Sequence, residues 1–99
     1  MLFHVRMMVR LPADLPLAVS ERLKTEERAR AWDLQRDGRW VHLWRVVGRY
    51  ENYSIFNVAS NDELHELLST LPLFPYMEIE VTPLATHPSD LRASIKQEL

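Results

Sequence analysis

RWVHLWRVVGRYENYSIFNV, residues 39–58, is the longest apolar and aromatic run in this 99-residue chain. It holds Trp40 and Trp44, two of the three tryptophans, and Tyr50 and Tyr53, two of the three tyrosines. Aromatic and β-branched residues favour strands, so the run predicts two strands joined by a tight turn at residues 50–52. Apolar residues at successive positions predict that both faces of each strand are covered. We expect the rest of the chain to cover this hairpin or pair with it.

The segments before the hairpin predict one strand and one helix. Residues 2–10 alternate with a period of two, which predicts a strand whose apolar face carries Phe3, Val5, Met7 and Val9. A helix is expected over residues 17–37, because Pro16 suits the first turn of a helix and Gly38 suits a C-terminal cap. Its sheet-facing stripe carries Glu27, with Lys24 about one turn earlier.

The segments after the hairpin predict a second helix and a last strand. Ser60 and Glu63 have the spacing of a capping box, leucines recur on one helical face over residues 61–71, and Pro72 ends the helix. A stiff loop, LPLFPYM (71–77), leads to a strand over residues 76–83. The tail is polar and short of core residues, and its last stretch, 89–99, is expected to form a weak helix or to pack on a neighbouring subunit.

The order β-α-β-β-α-β predicts an α+β protein with a ferredoxin-like fold. Both helices would cover one face of a four-stranded antiparallel sheet, and residues 1–84 would form the single domain, with 85–99 as a C-terminal tail. The other face would carry His4, Arg6, Glu78 and Glu80. An uncovered sheet face near aromatic residues is a natural assembly surface.

Composition argues against several classes of function. The net charge is −2 with the charges interspersed, so a basic nucleic-acid footprint is not expected. No apolar run approaches the roughly 20 residues of a membrane span, and the absence of cysteine fits a cytoplasmic protein without disulfides. The four histidines lack the spacing of a metal site, and there is no glycine-rich phosphate loop or GxSxG motif.

Glu27 is the sharpest chemical signal in the chain. A carboxylate on a sheet-facing stripe costs free energy unless it is paired or functional. Burial raises its pKa and a nearby cation lowers it, which is the usual setting of a general base near neutral pH. The alternative is a solvated carboxylate at the edge of the stripe, paired with Lys24 or Arg30.

For other side chains a structural role stands beside the functional one. Arg45 is suited to bind an anion through two hydrogen bonds, or else it pairs with Glu78 or Glu80 across the sheet. Each histidine is either a structural residue or a ligand. The aromatic residues that could line a pocket, or instead belong to the core or an interface, are Trp40, Trp44, Phe74 and Tyr76.

Long runs of the chain closely resemble the muconolactone Δ-isomerase family. They are MLFHVRM (1–7), the run from RLKTEERARAW through NYSIFNV (22–58), and DELHELLSTLPLFPYMEIEVTPLATHPS (62–89). HLWR, NYSIF and LPLFPYM are the most specific parts. The chain departs from the family at Ala85 and Thr86, where the family often has Cys and Arg. The resemblance covers residues 1–89.

The resemblance implies a cofactor-free intramolecular isomerase of the catechol branch of the β-ketoadipate pathway, assembled as a homodecamer of the dimeric α/β-barrel type. A small lactone substrate, muconolactone, becomes 3-oxoadipate enol-lactone by a proton shift. It implies Glu27 as the base, assisted by Lys24. The candidates to bind the substrate carboxylate are Arg45, His42 and His4, and those for an apolar wall are Tyr53, Trp44 and Phe74. The alternative is a ligand-binding, haem-binding or cofactor-free monooxygenase member of the same architecture.

Overall fold

A computed structural model describes residues 1–92 of the chain. The elements, in chain order, are β1 (Leu2–Val9), α1 (Leu17–Arg36), β2 (Trp40–Arg45), β3 (Glu51–Asn57), α2 (Asn61–Ser69), a 3-10 helix (Phe74–Tyr76) and β4 (Met77–Leu84). The sheet order is β2-β3-β1-β4, and every neighbouring pair is antiparallel. The ferredoxin-like α+β prediction is therefore confirmed. The predicted C-terminal helix lies mostly outside the described residues.

One face of the sheet packs against the helices and forms the core, and we call it the inner face. It presents buried residues from three strands, among them Phe3, Met7, Trp40 and Phe56. The helices add Ala31, Leu34, Leu64, Leu67 and Leu68. Burying a large apolar side chain stabilises the fold by about 1.5–3 kcal/mol, so this face is the main source of stability.

The opposite, outer face carries no helix. Strand register places His4 beside Ile55 and Thr82, and Arg6 beside Tyr53 and Glu80, as the sequence predicted for His4, Arg6 and the glutamates. The Arg6 guanidinium lies 2.8 Å from Glu51, which is buried, and 3.4 Å from Glu80. Exposed apolar side chains on this face are Leu2, Trp44, Tyr53 and Leu84.

The expectation that both faces of β2 are covered is wrong for the chain by itself. β2 lies at the edge of the sheet, and every residue from Val41 to Arg45 is exposed. Trp40 alone is buried, packed against Phe56 with ring centres 4.8 Å apart. Between Trp40 and His42 the pairing with β3 shifts by one residue, which is a β-bulge.

The predicted turn at residues 50–52 is also wrong. β3 already begins at Glu51, and the hairpin connection is residues 46–50. Val46 N–H donates to the Glu51 carbonyl over 3.0 Å, and Gly48 adopts a φ of 80°. Glycine reaches this left-handed conformation without steric cost, so the turn forms around Gly48.

The helix ends follow the sequence signals. Gly38, with a φ of 87°, follows the α1 C-cap. At the start of α2, Ser60 accepts a hydrogen bond from Glu63 N–H over 3.1 Å, and the Glu63 carboxylate accepts one from Ala59 N–H over 2.6 Å. The predicted Gly38 cap and the Ser60 half of the capping box are confirmed, whereas Glu63 accepts from the N–H of Ala59 and not from that of the N-cap Ser60.

Candidate active site

A cleft with a volume of about 650 Å³ lies between α1, the β2–β3 hairpin and the segment that follows α2. This volume suits a small organic ligand. α1 contributes Lys24, Glu27, Arg28, Ala31, Trp32 and Gln35; the hairpin contributes Trp40, Leu43, Arg45, Tyr50 and Asn52; the remainder are Val9, Leu73 and Met77. The cleft thus combines apolar walls with charged groups of both signs.

Glu27 is half-buried in this cleft and accepts a hydrogen bond at Oε1 from the backbone N–H of Leu73, over 2.9 Å. Burial raises the pKa of Glu27 above its ordinary value of 4.5, and the Leu73 hydrogen bond acts in the opposite direction. Arg30 instead donates to Thr70 Oγ1 over 3.1 Å. Among residues 1–92 Glu27 forms no ion pair, so the solvated-pair alternative does not describe it.

Two cations flank the ring of Tyr50 in the same cleft. Arg45 Cζ lies 5.2 Å from the ring centre, and Lys24 Nζ lies 5.8 Å from it. Burial raises the pKa of Tyr50 above its ordinary 10.0, with Glu27 adding to the rise and Arg45 opposing it. The phenol is therefore neutral near neutral pH and can donate a hydrogen bond.

The β-bulge decides which side chains of β2 reach the cleft. Trp40 pairs with Phe56, and then His42 pairs with Ile55, so Val41 is the extra residue. The alternation restarts after it, which sends Leu43 and Arg45 to the inner face. Bulges near functional sites often re-aim side chains in this way. The alternative for Arg45, a pair with Glu78 or Glu80, is wrong, because β2 and β4 are opposite edges of the sheet.

Four of the predicted substrate-binding residues lie on the outer face, away from the cleft of their own chain. The His4 and Tyr53 ring centres are 5.2 Å apart, and His42 stacks on Trp44 with centres 4.9 Å apart. The sheet separates all four from Glu27, because their register places them opposite the helices. A substrate contact from them requires the cleft of another subunit.

The fifth predicted residue outside the cleft is Phe74, in the 3-10 helix. It packs against the hydrophobic core, whereas its neighbour Leu73 lines the cleft. The structure therefore brings together Glu27, Lys24 and Arg45 from the predicted site residues, and Trp40 from the aromatic residues that could line a pocket.

Sequence reasoning missed several residues of the cleft. Asn52 belongs to the inner face with Ser54 and Phe56, a period of two that the misplaced turn concealed. Tyr50 was hidden for the same reason. Trp32 and Gln35 lie outside the predicted stripe of α1 and carry no separate signal. Trp40 Nε1 is buried and has no hydrogen-bond partner in the described part of the chain.

Within residues 1–92, no three His, Asp or Glu side chains lie close enough together to hold a metal ion. None of the helices in that range combines the length and apolar character needed to cross a membrane.

The chain matches known proteins over nearly its whole length. A sequence model of the muconolactone delta-isomerase family matches residues 1–90. Muconolactone Delta-isomerase 1 of Acinetobacter lwoffii is 58% identical over 92 residues, covering 93% of this chain and 96% of that protein. Muconolactone Delta-isomerase of Cupriavidus pinatubonensis is 61% identical over 92 residues, covering 93% of this chain and 100% of that protein.

A solved structure agrees in fold as well as in sequence. The crystal structure of a muconolactone isomerase at 3.3 Å resolution superposes with a TM-score of 0.88 at 54% sequence identity. The match covers 92% of this chain and 95% of that one.

Proposed function

This chain belongs to the muconolactone delta-isomerase family, and from that premise we propose that it converts muconolactone to 3-oxoadipate enol-lactone without a cofactor. The reaction moves one proton. It leaves the ring carbon that bears the carboxymethyl group and returns to the carbon beside the lactone carbonyl, while the double bond shifts between them. The intermediate is a dienolate whose negative charge lies largely on the carbonyl oxygen of the lactone.

Glu27 is the base in this proposal, and its setting is the observation that carries it. The carboxylate is half-buried, lies in a cleft of suitable volume and forms no ion pair among residues 1–92, while a backbone N–H holds one of its oxygens. Burial makes it more basic than an exposed carboxylate, which suits it to take a carbon-bound proton. Once protonated, it can return the same proton to the other end of the dienolate.

In this proposal Lys24 and Arg45 each interact with a different negatively charged group of the substrate. Lys24 lies about one turn before Glu27 on α1 and would stabilise the developing charge on the lactone oxygen. Arg45 enters the cleft from β2 and would bind the substrate carboxylate, because a guanidinium matches a carboxylate with two parallel hydrogen bonds. Trp32 and Leu43 would form apolar walls around the ring.

We also propose that the chain assembles as a homo-oligomer, a decamer by family resemblance, through the outer face. Trp44 is 55% exposed and Tyr53 is 42% exposed in the single chain, beside the half-buried Ile55. Aromatic residues of this kind are enriched at protein interfaces. In such an assembly the outer-face residues would either be buried in the contact between subunits or reach the cleft of a neighbouring subunit. These residues are His4, His42, Trp44 and Tyr53.

Cytoplasmic localisation belongs to the same proposal. The chain contains no cysteine, so it needs no oxidising compartment to form disulfides. Cell fractionation with an antibody to the protein tests this directly.

The test of the function is a direct assay on the purified protein. (+)-Muconolactone is mixed with the protein, with and without a chelator, and ultraviolet absorbance follows the shift of the double bond. We expect conversion at the same rate in both samples. No conversion by a folded protein would refute the isomerase function, and loss of activity in the chelator alone would refute the cofactor-free mechanism.

A further inference from the structure

The segment after α2 offers few backbone donors, and one of them points at the base. Pro72 and Pro75 have no N–H group. Phe74 N–H donates to the Leu71 carbonyl over 2.9 Å, and Tyr76 N–H donates to the Leu73 carbonyl over 2.9 Å. Leu73 N–H is left free of the segment's own turns, and it donates to Glu27 Oε1 over 2.9 Å.

We propose that the backbone N–H of Leu73 is a positioning group for the base: by holding Oε1 of Glu27, it assigns the proton transfer to Oε2. This inference rests on the proposed function, because it concerns the same carboxylate. Oε2 both removes the proton from the lactone and returns it to the dienolate. The reaction therefore stays on one face of the ring.

The contact is suited to this task because the donor is rigid. Leu73 is 2% exposed and caps the 3-10 helix Phe74–Tyr76, so its amide cannot swing away without disturbing the core. A glutamate carboxylate on a helix otherwise has several rotatable bonds to restrict. Holding one oxygen limits the carboxylate to small rotations about that contact, so Oε2 can still reach two carbons of one small ring.

The Leu73 N–H in turn depends on Glu27 as its acceptor. Without Glu27, the Leu73 N–H would be a buried donor with no partner, and leaving such a group unsatisfied costs free energy. A hydrogen bond to the charged form of a carboxyl favours ionisation, so Leu73 keeps the rise in the pKa of Glu27 within bounds. Burial and one backbone donor together set the basicity of the catalytic group.

A backbone ester tests this role without changing any side chain. Replacing Leu73 by its α-hydroxy analogue puts an ester oxygen in the place of the N–H and leaves every side chain unchanged. The matched control places the same change at Phe74, which removes a hydrogen bond of equal length within the same segment but none to Glu27.

Three quantities are measured on each protein: the pKa of the ¹³C-labelled Glu27 carboxyl by NMR, the pH profile of kcat/KM, and kcat with KM. The ester at 73 should raise the pKa of Glu27 and move the acidic limb of the profile to higher pH. It should lower kcat about 10- to 100-fold, the equivalent of one hydrogen bond to a charged group. The ester at 74 should leave the pKa and the limb in place.

The wild-type protein supplies a second test that does not depend on folding of a variant. The amide proton shift of Leu73 should titrate together with the Glu27 carboxyl, while that of Phe74 should not. A Leu73 amide that ignores the titration, or equal effects of the two esters, would overturn the inference. If wild-type protein shows this coupling but does not convert muconolactone, the contact stands, whereas the proposed function and the proton transfer assigned to Oε2 both fail.

Discussion

Arg45 lies across the cleft from α1 with its guanidinium carbon 5.2 Å from the centre of the Tyr50 ring, within the range of a cation–π interaction. Lys24 approaches the same ring from α1 at 5.8 Å. Both cations therefore lie close to the Tyr50 ring within one small cleft. With Arg28, three cations and one carboxylate line the cleft, and this excess of positive charge favours an anionic substrate.

Replacing Arg45 by Gln should raise KM about 10- to 100-fold, since the substrate carboxylate loses a charge-assisted hydrogen-bond partner. We expect kcat to change much less, because Arg45 binds a group that does not react. Steady-state kinetics measures both. The control is Arg36→Gln, which removes an exposed cation paired with Asp33 at the end of α1. An unchanged KM for the Arg45 variant would show that the carboxylate binds elsewhere.

Replacing Lys24 by Met should lower kcat about 100-fold or more, the usual effect of losing a donor to a developing oxyanion. The acidic limb of the kcat/KM profile should stay in place, because Lys24 and Glu27 form no ion pair. The position of the limb therefore distinguishes the Lys24 variant from the ester at Leu73, whose N–H donates directly to the Glu27 carboxylate. A limb that moves in the Lys24 variant would mean that Lys24 acts by tuning the base.

Replacing Glu27 by Gln should stabilise the fold at neutral pH relative to the wild type. The pKa of Glu27 is higher in the folded protein than in the unfolded chain. Its protonated form therefore stabilises the fold at a pH below the unfolded-state pKa, and this contribution is lost as the pH rises through the folded-state pKa. A neutral Gln avoids that loss, and its oxygen can still accept from Leu73 N–H. Urea unfolding at pH 4 and pH 7.5 measures the effect. Equal differences between variant and wild type at both pH values would exclude a raised pKa.

The outer face should control assembly. Trp44→Ser combined with Tyr53→Ser should lower the mass of the particle in sedimentation velocity, because both exposed rings belong to the proposed contact. Val47→Ser is the matched control: Val47 is 95% exposed in the turn of residues 46–50, away from that face. A wild-type protein that sediments as a monomer would exclude the proposed oligomer.

Much of the fold follows from the sequence because its patterns are local. The alternation in β1, the capping box of α2 and the glycine after α1 each act within a few residues. The same holds for the stripe of α1, which predicts that Glu27 and Lys24 face the sheet. Helical periodicity predicts orientation well because consecutive side chains are fixed at 100°.

The cleft could be predicted only in part, for two physical reasons. A single extra residue at Val41 reverses the alternation of β2, so His42 and Trp44 lie on the outer face while Arg45 enters the cleft. Nothing in the local composition marks that bulge. The donor at Leu73 is a backbone N–H, and its direction depends on the 3-10 turn beside it rather than on the identity of the side chain.

The measurement that tests the central claim most directly is the turnover of muconolactone by Glu27→Gln beside Glu26→Gln. Glu26 is the neighbouring carboxylate on α1; it is exposed and lies 3.9 Å from Arg22, outside the cleft. General-base catalysis contributes about 100- to 10,000-fold to a rate, so the Glu27 variant should lose at least that much while the Glu26 variant keeps wild-type turnover. A folded Glu27→Gln protein with turnover within a few-fold of wild type would contradict the assignment of Glu27 as the base.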